Sequence, residues 1–385
     1  MVRIYADLHI HVGRTSRAAP VKITASPRLN LESIVKTAEQ KGLQLVGLVD
    51  AACSGVLQDL KELVENGTLQ PLEGGGCRWG QTALFFGSEV ELAHRGEAAH
   101  FLAFFPSLQA LKDYAGAVAP ALTNPALSTQ RLKMPPDEWL AAVLSAGGAA
   151  LAAHAFTPHK GVYGSCVREL GEMFAQPEQI SGLELGLSAD STMAASISDT
   201  HRYAYLANSD AHSPGSIGRE FTVYELPELS FAAWRKALAC GGEGIVALCG
   251  LDPRLGKYHR SCCPRCNLLA TEEEAIFQCP NCGGDMVAGV WDRVRAIADC
   301  REEPKRRAPY KVHIPLAMLP GVGPAACQKL LGEVGTELEV LYRASPEKIR
   351  RAAGEKVTRS ILALRSGSLT VQPGGGGRYG RVVLP

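Results

Sequence analysis

Two histidines one residue apart, His9 and His11, close the apolar run RIYADLHIH (3–11). Side chains at i and i+2 of a strand point to one face, so the pair can offer two imidazoles to the same ion. Asp210 and His212, in YAYLANSDAH (203–212), repeat that spacing, while Asp50, Glu89, His100 and His154 lie within or at the ends of other apolar runs. Imidazole and carboxylate ligands suit Zn, Mn and Fe, and a site for two or three ions needs several histidines plus a carboxylate able to bridge. One such histidine alone would read as an ordinary core or surface residue; the pairing and the recurrence along the runs suggest a site. Asp7, ahead of the pair, reads as an orienting or structural acid rather than a ligand.

These residues need a scaffold that brings distant positions together. The runs 3–11, 43–50, 83–92, 99–105, 149–156, 181–187 and 203–212 have the character of strands buried on both faces, as in a parallel sheet. Between them LESIVKTAEQKG, PPDEWLAAVLSAGG and SFAAWRKALACGG show helical spacing and glycine stops. Such β-then-α units, with about seven strands, predict an α/β barrel or an open α/β sheet. In a barrel the C-terminal strand ends share one mouth, where the polar residues would converge.

The chain changes character near residue 251. Its net charge of +1 averages two unlike parts: residues 1–250 hold 19 Lys+Arg and 25 Asp+Glu, a net of −6, and residues 251–385 hold 21 and 14, a net of +7. Six of the twelve cysteines fall between Cys262 and Cys300. CPRC and CPNC place Cys263, Cys266, Cys279 and Cys282 in a C-x2-C-x12-C-x2-C pattern, which predicts one structural Zn held by four thiolates. A pair of redox CxxC motifs is the weaker reading, since nothing nearby has a thioredoxin pattern. Cys262 reads as a bystander. Farther on, LPGVGP (319–324) resembles the hairpin of helix-hairpin-helix DNA-binding motifs. Gly321, Val322 and Gly323 would let backbone N–H groups approach a phosphate at a helix start, a contact blind to sequence. Arg350, Arg351, Lys356, Arg359 and Arg365 follow on helical text.

Two loops are weaker candidates for contact with DNA or its phosphates: Arg131 in LSTQR (127–131), and His159 and Lys160 in HAFTPHKGVYG (154–164). His94, His201, His259 and His313 have no partner pattern. No basic leader with an apolar core opens the sequence, and no run of about 18 apolar residues occurs, so a cytoplasmic protein with no membrane segment is expected.

The motifs DLHIH, GLVD, GSEVE, His100, His154 and NSDAH resemble those of the PHP (polymerase and histidinol phosphatase) superfamily over the first 245 or so residues. That resemblance implies a distorted β/α barrel and phosphoester hydrolysis on a cluster of two or three divalent ions (Zn, Mn, Mg or Fe). The implied ligands are His9, His11, Asp50, Glu89 as the bridge, His100, His154, Asp210 and His212, with His9, His11, Glu89, His154, Asp210 and His212 at the chemistry. Many members carry a histidine directly after the second-motif aspartate; here Ala51, Ala52 and Cys53 follow Asp50, so one ion lacks a ligand or takes Cys53 or water. The order of barrel (1–250), zinc ribbon (251–299), linker (300–313) and an all-α helix-hairpin-helix domain with a Gly-rich tail (314–385) resembles the endonuclease Q family. It implies a DNA repair enzyme that nicks 5′ to uracil, hypoxanthine, xanthine or abasic sites; a monomer is expected. A PHP exonuclease, a small-molecule phosphatase and an inactive DNA-binding scaffold are the alternatives; the C-terminal modules weigh against the phosphatase.

Overall fold

The computed structural model describes residues 1–239, 241–271, 274–300 and 307–384. Its main sheet contains β1 (Val2–Ile10), β2 (Leu45–Leu48), β3 (Thr82–His94), β4 (Glu97–Phe105), β5 (Ala149–Ala152), β6 (Ile180–Glu184), β7 (Ala204–Leu206), β8 (Phe221–Leu226), β9 (Ile245–Gly250) and β10 (Tyr310–Val312). They are hydrogen-bonded in the order β10-β9-β8-β1-β2-β3-β4-β5-β6-β7. Beyond β7 the chain returns to β1, where Ile10 bridges Ala211, His11 N–H donates to Ala211 O (3.1 Å) and Ala211 N–H donates to His9 O (2.9 Å). This contact closes β1 to β7 into a distorted ring.

The sheet is mixed rather than mostly parallel. β1–β2–β3 and β5–β6–β7 pair in parallel, but β3 with β4, β4 with β5 and β8 with β1 are antiparallel. The cause at β3–β4 is local: only Arg95 and Gly96 separate the strands, both at positive φ, and a two-residue turn can join only antiparallel neighbours. β8 to β10 extend the sheet past the expected seven strands, on the other side of β1. β10 falls within the stretch read as a linker; residues 301–306 of that stretch lie outside the described residues.

Helices cover the sheet where the glycine stops place them. The helix Leu31–Lys41 is capped by Asn30, whose side chain accepts from Ser33 N–H (2.9 Å) while Ser33 Oγ accepts from Asn30 N–H (3.0 Å). It buries Leu31, Ile34, Val35 and Ala38. The large core also takes Val290, Val294 and Ile297 of the helix Val290–Ile297, which follows the cysteines in sequence. A second core, including Leu251, Leu255, Leu316, Leu330, Leu341, Ile349 and Ile361, holds the helices Pro324–Glu333, Glu337–Tyr342 and Pro346–Ser366 together. The last of these is bent at Gly354, whose φ of 82° interrupts the helix. Among the described residues no helix is long and apolar enough to cross a membrane.

Glu220, just before β8, is fully buried; its carboxylate accepts from Leu251 N–H (2.8 Å), and burial pushes its pKa from 4.5 up to about 8. Between those values the folded chain keeps a proton that the unfolded chain has released. Stability from this group is therefore full below pH 4.5 and is lost as pH rises through about 8. Glu220→Gln is expected to melt a few degrees higher than the parent above pH 8 and to match it below pH 4.5, in thermal scans across that range.

Candidate metal centre

The strand ends bring the histidines and carboxylates into one buried cluster. At the end of β1, His9 and His11 lie with ring centroids 5.2 Å apart, both rings without solvent exposure. His9 Nδ1 lies 2.9 Å from Glu184 Oε2, so its Nε2 faces inward, 3.4 Å from both Glu89 Oε1 and Asp210 Oδ1. His11 is set the same way: Nδ1 lies 3.1 Å from the Asp50 carboxylate, and Nε2 3.5 Å from Glu89 Oε2 and 3.4 Å from Asp210 Oδ1. Both Nε2 atoms are buried without a hydrogen-bond partner. Buried polar atoms are rarely left so, and two of them aimed at the same carboxylates are what a cation would satisfy. His100 and His154 complete the far side: His100 Nδ1 lies 3.1 Å and His154 Nε2 3.6 Å from Glu89 Oε1.

Three overlapping donor groups result: His9, His11 and Glu89; His11, Asp210 and His212; and Glu89, His100 and His154. Each has the composition and closeness to hold a divalent ion, and Glu89 is shared by two of them. Two of the donors, His154 (φ 28°) and Asp210 (φ 47°), sit in left-handed backbone, a strain that clusters at functional sites. Arg219 braces the second: it donates from Nε to Ser209 O (2.8 Å) and from Nη2 to Asp210 O (3.2 Å).

The charges of the cluster hold one another. Burial opposes ionisation of Glu89 and Asp210, yet Lys22 and the histidines around Glu89, and His9 with the other imidazoles around Asp210, keep both acids well below the usual carboxylate range. Burial likewise works against a charged His100, but Glu89 raises it to about 9. His212 goes the other way, down to about 4, through burial and the neighbouring His11. Asp7, fully buried, is pushed up to about 6 by burial. Its carboxylate accepts from Ser209 N–H (3.0 Å) and Gly218 N–H (2.8 Å), tying β1 to the Asp210 segment without facing the cluster's open nitrogens.

Asp50 lies outside all three donor groups. Its carboxylate faces His11 Nδ1, and accepts from Val12 N–H (2.7 Å) and from the Ser128 hydroxyl. Cys53 also lies outside them, and burial together with Asp50 pushes its thiol pKa well up, against thiolate ligation. Residues not singled out in the sequence complete the cluster: Glu184 at the end of β6, Lys22, and the hydroxyls of Ser128 and Thr129. Glu184 carries a signal that could have found it, a lone carboxylate in the otherwise apolar SGLELGL. Because it sets the tautomer and aim of His9, Glu184→Gln is expected to weaken cluster affinity for Mn about 10- to 100-fold, read by competition with a chromogenic chelator.

The cluster floors a cavity of about 870 Å³, with Tyr258 and Tyr379 among the residues of its walls. His159 and Lys160 line it; Arg131 is absent from its lining. Arg131 and Lys160 both pair with Glu91, which His100 and these two bases hold down at about 2. His159 packs edge-on against Tyr258.

The four cysteines meet as the spacing requires, with Cys263 Sγ 3.5 Å from Cys282 Sγ and Cys266 Sγ 3.4 Å from Cys279 Sγ. They form one group of metal-holding geometry. Gly376 of the tail packs next to Cys262 Sγ, which is not part of that group. In the hairpin, Gly321 has φ 82° and Gly323 caps the helix Pro324–Glu333. The Val322 side chain is buried in the second core and its N–H donates to Leu319 O (3.1 Å), so Val322 shapes the hairpin rather than offering a donor to a phosphate. Arg365 donates to the carbonyls of Leu341 (2.8 Å) and Val340 (2.9 Å), a structural use rather than an exposed one.

Residues 190–241 match a family described as PHP-associated. The uncharacterized protein YqxK of Bacillus subtilis is 40% identical over 99% of this chain and 100% of its own length. The uncharacterized protein MJ0043 of Methanocaldococcus jannaschii is 38% identical over 52% of this chain, which is 28% of that protein. Among solved structures, the lesion-specific endonuclease PfuEndoQ from Pyrococcus furiosus superposes with a TM-score of 0.85 at 34% identity, over 100% of this chain and 96% of that one. An endonuclease Q in complex with a 27-mer duplex substrate, with an abasic lesion at the active site, matches with the same score and identity over 100% and 97%. Sharing one fold and a third of its residues with these proteins along its whole length, the chain belongs to the endonuclease Q family.

Proposed function

We propose that this chain is a metal-dependent DNA repair endonuclease that hydrolyses the phosphodiester 5′ to uracil, hypoxanthine or xanthine, or to an abasic site, leaving 3′-hydroxyl and 5′-phosphate ends. The observation that carries the reading is the cluster of His9, His11, Glu89, His100, His154, Asp210 and His212, of which Glu89, His100, His154, Asp210 and His212 line an open cavity, in a chain 34% identical throughout to a lesion-specific endonuclease. Two or more divalent ions in the cluster would supply Lewis-acid polarisation of the scissile phosphate and a water of lowered pKa. The chain's own part is positioning. Glu184 and Asp50 fix the two β1 imidazoles with Nε2 inward, and Asp210 and Glu89 supply anionic oxygens between them. Asp50 acts through His11 in this reading. Lys160, which lines the cavity, and Arg131 are both held on Glu91, and each would exchange that carboxylate for a DNA phosphate.

A cavity of about 870 Å³ is large enough for an extruded nucleotide, and lesions that pair poorly cost least to extrude. The hairpin Gly321–Gly323 and exposed basic residues of the helix Pro346–Ser366 would hold the backbone of the same duplex, and the four cysteines would hold one structural zinc. The test is incubation with Mn, Mg or Zn and labelled duplexes that are undamaged or carry uracil, hypoxanthine or an abasic position, with Asp210→Asn as control. Single nicks 5′ to the lesions, absent from the control, are expected. Equal cutting of undamaged DNA would remove the repair reading; digestion from an end would make the enzyme an exonuclease; no cutting with any ion would leave a scaffold.

A further inference from the structure

The Gly-rich tail folds back onto the cavity. Thr370–Gln372 pairs antiparallel with Arg381–Val383, and Val382 is buried in the second core. Between these strands Gly375 and Arg378 exchange two hydrogen bonds (3.0 and 3.1 Å) across Gly376 and Gly377, which have φ 56° and 81°. A two-residue turn with positive φ at both positions is one that glycine makes without strain. The turn is laid on the segment after β9: the N–H groups of Gly374, Gly380 and Gly377 donate to the carbonyls of Arg254 (2.7 Å), Leu255 (2.9 Å) and Lys257 (3.2 Å). Tyr379 is thereby set in the cavity wall, with the Lys257 ammonium 4.9 Å from its ring centroid.

Arg219 joins this tyrosine to the metal centre. Its Nη1 donates to the Tyr379 hydroxyl (2.9 Å), while Nε and Nη2 hold the carbonyls of Ser209 (2.8 Å) and Asp210 (3.2 Å). Asp210 has left-handed backbone, and its Oδ1 lies 3.4 Å from Nε2 of both His9 and His11. Such a backbone persists only where its surroundings hold it, so the aim of the carboxylate depends on the arginine. Arg219 also lines the cavity, where a DNA phosphate would compete strongly for its guanidinium. With its outer N–H engaged by the tyrosine, the planar fork stays on the two carbonyls.

We propose that Tyr379 is a positioning residue of the metal centre: through Arg219 it holds the Asp210 backbone in the conformation that aims its carboxylate at His9 and His11. The C-terminal tail thus completes a site whose donors all lie in the barrel. The inference rests on the metal-dependent reading above and extends it to a residue far along the chain from the cluster. The hydroxyl carries this role; the ring by itself is only wall.

The test uses the full-length chain, with Mn affinity read by competition with a chromogenic chelator and nicking measured on an abasic duplex. Tyr379→Phe keeps the ring and loses the acceptor. Its Mn affinity is expected to fall about tenfold, as for other groups that orient a ligand from behind. Its kcat and kcat/KM are expected to fall together, by about the same factor. Arg219→Lys keeps the charge but replaces the fork by one ammonium; it should lose at least as much, and adding Tyr379→Phe to it should cost no more. One Zn per chain and an unchanged circular dichroism spectrum report that each variant is folded. Mn affinity equal to the parent's in Tyr379→Phe, a raised KM as its sole effect, or losses that add in the double variant would overturn the proposal. A parent that binds Mn, is weakened by Tyr379→Phe and nicks no lesion duplex would remove the functional reading and leave this inference standing. Lesion-specific nicking by a parent that Tyr379→Phe equals would do the reverse, and a cluster that takes up no Mn would remove both.

Discussion

Glu89→Gln is expected to lower nicking of an abasic duplex about a thousandfold. Both carboxylate oxygens are engaged, one toward His9, His100 and His154 and the other toward His11, Lys22 and Thr129. An amide offers one weak acceptor and turns an N–H donor toward groups that need an acceptor. It also removes the negative charge shared by two of the three donor groups. Electrostatic stabilisation by a bound ion is worth several kcal/mol, and each 1.36 kcal/mol is tenfold in rate, so losing about 4 kcal/mol corresponds to about three decades. Single-turnover cleavage at saturating Mn reads the effect, and a loss of less than tenfold would take Glu89 out of the bridging role. The same variant should bind fewer Mn, which separates a lost ion from a misplaced one.

The second large effect is expected at the cysteines. Around Cys263, Cys266, Cys279 and Cys282 the apolar core is Ala270 and Met286 with the half-buried Leu268 and Ile276 against them, too little to order the segment without a cross-link. Zinc binding to such small modules carries an apparent free energy on the order of 10 kcal/mol, and that energy is what folds them. Cys279→Ser with Cys282→Ser should therefore lose one Zn per chain and open residues 262–287 to proteolysis, with weaker DNA binding and an unchanged Mn count in the cluster. The damage should stop at the helix Val290–Ile297. That helix is anchored in the large core, and Asp292 accepts from Ser261 N–H (2.6 Å) and from Arg260. Cleavage spreading into the barrel would show that the zinc supports more than its own loop.

Most of the cluster was legible because its residues interrupt apolar text. A histidine pair or a lone carboxylate within or at the end of a run that should be buried has few explanations, and His9, His11, Glu89, His154, Asp210 and His212 all stand out that way. Lys22, Ser128 and Thr129 do not. They reach the site on long connections whose course is set by contacts between loops, such as Lys22 N–H to Val12 O (3.0 Å) and Ser128 N–H to Val21 O (3.1 Å). Periodicity says nothing about such contacts. The apolar runs at β3 and β4 carry no strand direction of their own; it is set by Arg95 and Gly96 between them. The basic surplus after residue 250 was also only partly what it suggested. Arg293 donates to the carbonyls of Tyr163 and Val167, Arg307 to those of Thr200, His201 and Tyr203, and Arg365 to those of Val340 and Leu341. Those three guanidiniums fasten one part of the chain to another, and fewer are left over for a polyanion than the net of +7 implies.

β10 has a consequence for anyone who would recombine this protein. Tyr310–Val312 lie far beyond the change in composition near residue 251, yet they pair with β9, and the Tyr310 hydroxyl donates to Leu251 O (2.7 Å). A chimera joined at 250 would carry the ring but leave β9 as a bare edge, its N–H and C=O groups open to a strand from another molecule. Exchange of C-terminal parts between relatives would stay soluble only if the crossover fell after Val312, or if the incoming segment brought a matching strand.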